Sequence, residues 1–228
     1  MENRVEPLIE PFIFIKMIQT YTLPLGPLST NAYLLIPEQG DGAWIVDAPD
    51  GTCEQIEPLL KKHGRYLKGV LLTHGHWDHM QGLSKLREQG AKVYAHADIA
   101  KLICDPMQTQ GIFVVPGATV APAKVDFEPK QGDTIDLGGE RCEVLEVPGH
   151  CPGSLAFYFP DSKFVFTGDA LFAGSVGRAD LPGGDWDTLQ NAIRTRLYPL
   201  PDDVIVYPGH GPESTIGNEK RFNPFVRG

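Results

Sequence analysis

The feature that most constrains this chain is the stretch from Leu71 to Met80, Leu-Leu-Thr-His-Gly-His-Trp-Asp-His-Met, in which three histidines and an aspartate fall within six residues. The apolar run Gly69-Val70-Leu71-Leu72 ahead of it predicts a buried strand, and the polar cluster begins where that strand should end, at His74. Strand ends are where chemistry gathers in layered α/β folds. Side chains two apart on an extended chain share a face, so His74 and His76 can grip one cation, leaving Asp78 and His79 to serve a second.

Two divalent ions call for about six to eight ligands, less those that solvent supplies, and zinc and iron accept imidazole nitrogen together with carboxylate oxygen. Three further candidates stand where strands should end. They are His150 in Val147-Pro148-Gly149-His150, Asp169 in Phe166-Thr167-Gly168-Asp169 and His210 in Tyr207-Pro208-Gly209-His210. Glycine beside a ligand permits the backbone turn that aims it inward. A carboxylate has two oxygens, so Asp169 can bridge a pair of cations. His63 and His96 lack this setting and read as surface or packing residues.

The rest of the chain can supply a core for such a site. Of 228 residues, 42% are hydrophobic and 21% charged, values of ordinary globular proteins. The net charge of −9 comes with scattered basic residues, which argues against nucleic acid as a partner. Four cysteines without a Cys-x-x-Cys pair read as reduced thiols. The run Phe12-Ile13-Phe14-Ile15 is too short to span a bilayer, and Glu2, Glu6 and Glu10 make a poor signal peptide, so the expected location is the cytoplasm with no membrane partner. Oligomeric state is left open, although that run could pack as an edge strand.

Residues 1 to 16 read as an appended arm, and 17 to 228 as one domain. Strands are expected at 18–23, 31–36, 44–47, 68–73 and 92–95, then at 134–137, 141–147, 155–159, 164–167 and 204–207, with Gly and Pro marking the turns. Helices are expected from Thr52, as N-cap with Gln55 in the capping-box position, through Lys62, and over 82–89, 97–104 and 185–198. Leu189, Ala192, Ile193 and Leu197 make the apolar stripe of the last. Residues 105–130 read as a long irregular segment. Strands and helices in this order predict an α+β fold with two packed mixed sheets and helices on the outer faces.

The set His74-x-His76-x-Asp78-His79, His150, Asp169 and His210 resembles that of the metallo-β-lactamase fold hydrolases, from about residue 17 to the end of the chain. The resemblance implies a four-layer αββα sandwich holding two divalent metal ions. Zinc is the first expectation, and iron or manganese the alternatives. One ion would sit on His74, His76 and His150, the other on Asp78, His79 and His210, with Asp169 bridging. Phe172 to Asp180, Pro208 to Thr215 and Asn223-Pro224-Phe225 further resemble the short single-domain glyoxalase II proteins of bacteria. The chain departs locally from that family by carrying Cys151 and Ser154 after His150.

The reaction implied is hydrolysis of a small-molecule thioester, S-lactoylglutathione in the glyoxalase II case, by hydroxide generated between the cations. Asp78 would both ligate and orient, which makes it the catalytic residue. Arg178 and Asp180 read as a structural ion pair, Tyr158 and Tyr207 as core residues, and Cys151 as lying outside the site. The alternatives are a lactone or β-lactam hydrolase on the same donors, a persulfide dioxygenase using one iron, and a metal-binding module without catalysis.

Overall fold

Alternation along one strand shows how the layers arise. Every residue of β2 (Thr30–Pro37) is buried, yet Ala32, Leu34 and Ile36 join one core while Tyr33 and Leu35 join another. A strand with a period of two that is apolar on both faces must be covered on both. The computed structural model describes residues 18–105 and 119–228. The expected N-terminal arm and most of the first half of the irregular segment lie outside the described residues.

The first sheet runs β1 (Ile18–Leu25), β2, β3 (Gly42–Val46), β4 (Tyr66–Leu71) and β5 (Lys92–Tyr94) in spatial order. Its first two pairings are antiparallel and its last two parallel. The second sheet is built from β6 (Thr134–Asp136), β7 (Arg141–Glu146), β8 (Leu155–Phe159), β9 (Phe164–Gly168), β12 (Ile205–Pro208) and β13 (Ser214–Thr215). Its spatial order is β13-β12-β9-β8-β7-β6, with β12 parallel to β9 and the other neighbours antiparallel. Between the sheets lie Tyr33, Leu35 and Trp44 from the first and Phe157, Phe159, Phe164 and Phe166 from the second.

Helices α1 (Thr52–His63), α3 (Leu83–Glu88) and α4 (Ala97–Cys104) cover the outer face of the first sheet through Ile56, Leu83, Leu86, Ile99 and Ile103. On the far side, α5 (Trp186–Ala192) and α6 (Ile216–Phe222) cover the second through Leu189, Ala192 and Ile216. The expected α+β sandwich of four layers, αββα, is therefore what forms. No helix among the described residues is long and apolar enough to cross a membrane.

Local readings need correction at several points. Helix α1 is capped by Gly51 at φ 85 and not by Thr52, whose hydroxyl donates to Pro49 O at 2.6 Å. Glycine reaches that left-handed turn without a Cβ penalty, and the turn draws Thr52 into the helix. The stripe expected over 185–198 is buried throughout, but α5 gives way to a π-helical turn, Ile193–Leu197. The β4 ladder stops at Leu71, and a one-turn helix α2 (Trp77–Met80) takes up the end of the histidine-rich stretch. A short hairpin, β10 (Leu171–Phe172) with β11 (Ser175–Val176), and helix α6 fall where no element was expected.

Candidate metal centre

The parallel strands β3, β4, β9 and β12 all run out toward one edge of the sandwich, and the site lies there. His74 and His76 sit on extended backbone after β4, Asp78 and His79 on α2, His150 on the turn between β7 and β8, Asp169 just after β9 and His210 just after β12. All seven residues singled out in the sequence converge. Their donor atoms form three groups, each within 4.8 Å: His74, His76 and His150; His74, His79 and Asp169; and Asp78, His79 and His210.

In the first group His74 Nε2 and His150 Nε2 stand 3.1 and 2.8 Å from His76 Nδ1. In the third, Asp78 Oδ2 lies 3.5 Å from His79 Nε2 and 3.3 Å from His210 Nε2. Asp169 faces both. Its Oδ2 is 3.6 Å from His150 Nε2 and 3.5 Å from His210 Nε2, and its Oδ1 is 3.4 Å from His79 Nε2.

The opposite sides of the rings settle which nitrogen faces inward. His79 Nδ1 donates to Asp47 Oδ2 at 2.7 Å, and His150 Nδ1 donates to Arg178 O at 2.7 Å. The Thr73 hydroxyl donates to the Asp47 carboxylate, so it accepts from His74 Nδ1 at 3.0 Å. The His74 and His150 rings then turn an Nε2 lone pair into the site, and His79 presents its Nε2 there, to ligate once a cation displaces its proton, the arrangement that metal-ligating histidines adopt. Asp78 is held in turn by Thr30, whose hydroxyl donates to its Oδ2 at 2.7 Å. Asn31 grips the His210 turn with its backbone N–H on Gly209 O at 2.8 Å and its amide on Pro208 O and Gly211 O, each at 3.0 Å.

Glycine is required where these turns meet. A Cβ on Gly209 would collide with Asp169 Oδ1 and His79, and one on Gly177 would run into the Asp169 carbonyl oxygen.

The site's charges are arranged to be answered by cations. Burial, then the neighbouring imidazole charges, pushes His74 far below the usual histidine range. Burial likewise takes His76 down to about 4 and lowers His150. These rings are neutral near pH 7 and ready to ligate. Burial would raise the carboxyls of Asp78 and Asp169, but the positive charge at His79 and the facing histidines overcome it and hold both below the normal range. For His79 and His210 burial opposes protonation, and the surrounding carboxylates outweigh it.

His79 Nε2 and Asp169 Oδ1, which face each other across the site, are buried without hydrogen-bond partners. Native cores rarely leave such atoms orphaned. Three imidazole lone pairs meeting at one point, with orphaned donor atoms beside buried carboxylates, fit divalent cations.

Four supporting residues, Asp47, Thr73, Thr30 and Asn31, escaped the sequence reading. Asp47, at φ 59 just past β3, accepts from Thr73 N at 2.8 Å as well as from His79. It obeys the same strand-end rule as Asp169 but lacks a preceding glycine. Thr30 carries no comparable signal. The other expectations hold: Arg178 and Asp180 form an exposed two-pronged ion pair at 2.8 and 2.9 Å, His96 caps α4, and His63 meets the Tyr21 hydroxyl. All four cysteines are free.

Replacing Asp47 with Asn leaves the amide unable to accept from both Thr73 N–H and His79 Nδ1–H. We expect Asp47→Asn to weaken metal binding about 10- to 100-fold. Chelator competition measures this, and unchanged affinity would remove Asp47 from the site.

Above the donors opens a cleft of about 310 Å³, walled by Leu28, Trp77, Phe172 and Leu181 with Arg178 at its side.

This fold and this edge-on cluster of histidines and aspartates define a metallo-hydrolase architecture. The chain belongs to the metallo-beta-lactamase superfamily, whose family model matches residues 25–210. It is 36% identical over 206 residues to hydroxyacylglutathione hydrolase GloC of Haemophilus influenzae, covering 90% of this chain and 96% of that protein. Among solved structures, BLEG-1 B3 metallo-beta-lactamase superposes with a TM-score of 0.84 at 34% identity, covering 92% of this chain and 100% of that one. TTHA1623, in a di-iron-bound form, gives 0.73 at 38% identity, covering 90% and 100%.

Proposed function

We propose that this protein is a metal-dependent hydrolase of small-molecule thioesters, of the hydroxyacylglutathione type. The observation that carries the reading is the meeting of two donor groups across the Asp169 carboxylate beneath an apolar-walled cleft. His74, His76 and His150, and Asp78, His79 and His210, would hold divalent cations, with Asp169 available to both groups, and cations so held would supply Lewis acidity to a carbonyl group and to water. Zinc is the expected metal, and iron or manganese suits the same donors.

The chain's own residues do the positioning. Asp47, Thr73 and the Arg178 carbonyl lock the rings of His79, His74 and His150. Asp78, held ionised by its neighbours and by the Thr30 hydroxyl, is an acceptor at neutral pH and orients the attacking water. Leu28, Trp77, Phe172 and Leu181 keep bulk water from the acyl group. Arg178, at the side of the cleft, pairs with Asp180 in an exposed ion pair.

The thioester reading draws support from the likeness to GloC. Full coverage of BLEG-1 by this chain favours a second reading, β-lactam hydrolysis on the same donors. The test is hydrolysis of S-lactoylglutathione beside that of a β-lactam, with elemental analysis of the same sample. We expect thioester turnover that scales with metal bound. No turnover by protein carrying two metals per chain would overturn the proposal, and β-lactam cleavage by that sample would install the second reading.

A further inference from the structure

Glu219, on α6, is a fully buried carboxylate that the metal centre does not use. Its Oε2 accepts from Gly174 N at 3.0 Å and Asn223 Nδ2 at 2.8 Å. Its Oε1 accepts from the Ser214 hydroxyl and from Asn218 Nδ2 at 3.2 Å. Asn223 also donates to Ser175 O at 3.0 Å, and its Oδ1 accepts from Phe225 N at 3.0 Å and Val226 N at 3.2 Å. Gly174 lies in the turn of the β10–β11 hairpin and Ser175 begins β11 opposite Phe172, which walls the cleft with its ring centroid 6.2 Å from that of His210. A hairpin with only two facing residue pairs cannot hold itself in water.

We propose that the segment from Ser214 to Val226, through Glu219 and Asn223, clamps this hairpin and thereby sets the wall against which the substrate binds. Glu219 is a positioning residue for specificity. The proposal rests on the reading that the cleft above Asp169 receives the substrate, and it gives a role there to a segment beyond residue 210, where the family match ends. Only a carboxylate can accept from all four donors. A glutamine would set its own amide hydrogens against two of them, leaving buried donors unpaired.

The test is amide hydrogen exchange on the full-length, metal-loaded protein. In the wild type the Gly174 amide should be protected as strongly as the amides of α6. In Glu219→Gln the amides of 171–176 should exchange at least about tenfold faster while those of α1 and the metal content stay unchanged. KM for the thioester should rise about tenfold with kcat within about threefold.

Should Glu219→Gln fail to fold, Asn223→Ala carries the same expectations, and the wild-type measurement stands alone. Free-peptide exchange at Gly174 in the wild type, or a folded variant with unchanged hairpin exchange and KM, overturns the clamp. The expected exchange pattern without thioester turnover upholds the clamp and counts only against the thioester reading.

Discussion

Alanine at Asp169 is expected to lower kcat/KM for thioester hydrolysis by at least about 10³-fold, roughly 4 kcal/mol in the barrier. Among the described residues, Asp169 is the only side chain whose carboxylate lies within 3.6 Å of imidazoles from both the His150 and the His210 groups. Truncation removes a negative charge from between the two groups without filling the space, and Gly209 and Gly177 offer no side chain to replace it. Asn at the same position keeps the shape and loses the charge, so a comparable loss is expected there. Steady-state kinetics with metal content measured on the same sample decides the matter. Activity within tenfold of wild type, at full metal occupancy, would sink the assignment.

Chelation should lower the melting temperature by about 8–16 °C. A ligand present at about a thousand times its dissociation constant stabilises the folded state by about 4 kcal/mol, and a domain of this size shifts about 2–4 °C per kcal/mol. The sign follows from the site itself. Asp78, Oδ1 of Asp169 and Nε2 of His79 are buried, so removing cations leaves buried polar atoms unpaired in the folded state only. Calorimetry before and after verified metal removal is the measurement. A transition that does not move would mean that the donors hold nothing stabilising.

Much of this centre was legible in the sequence because ligation leaves compositional marks. Imidazoles and carboxylates stand after apolar runs, and four of them, His76, His150, Asp169 and His210, follow glycine, as a backbone turning sharply toward a shared point requires. The layers were legible for a similar reason, since strands such as β2 and β8 are apolar on both faces and can exist only between two covers. Asp47 follows an apolar run but no glycine, and Thr30 left no such mark at all. Each acts by holding a ligand contributed from elsewhere in the chain, and one acid or hydroxyl at a strand terminus is indistinguishable from a turn residue.

Glu219 was hidden more completely. On α6 it reads as one more charged residue among Asn218, Lys220 and Arg221, and only the docked hairpin shows that it faces inward. The β10–β11 hairpin is too short to carry a period of its own. Thr215 followed by Asn218 and Glu219 did offer a helix-start signal, and the Thr215 hydroxyl accepts from Asn218 N at 3.2 Å.

The donors come from both sheets, and this has a consequence for how the molecule is assembled. His76 and His150 are 74 residues apart in the chain yet 2.8 Å apart in space, and nothing local brings them together. They meet only when the aromatic layer of Trp44, Phe157 and Phe166 has already docked one sheet on the other. Such long-range pairings are the slow part of folding. A cation bound there ties the two halves of the chain as a cross-link would, and it can do so only once the halves have found each other. Metal loading is in this sense the closing stitch of folding, and an empty chain is held at that edge by its apolar layer and by the few hydrogen bonds that cross between the sheets, those of Asn31 to the His210 turn among them.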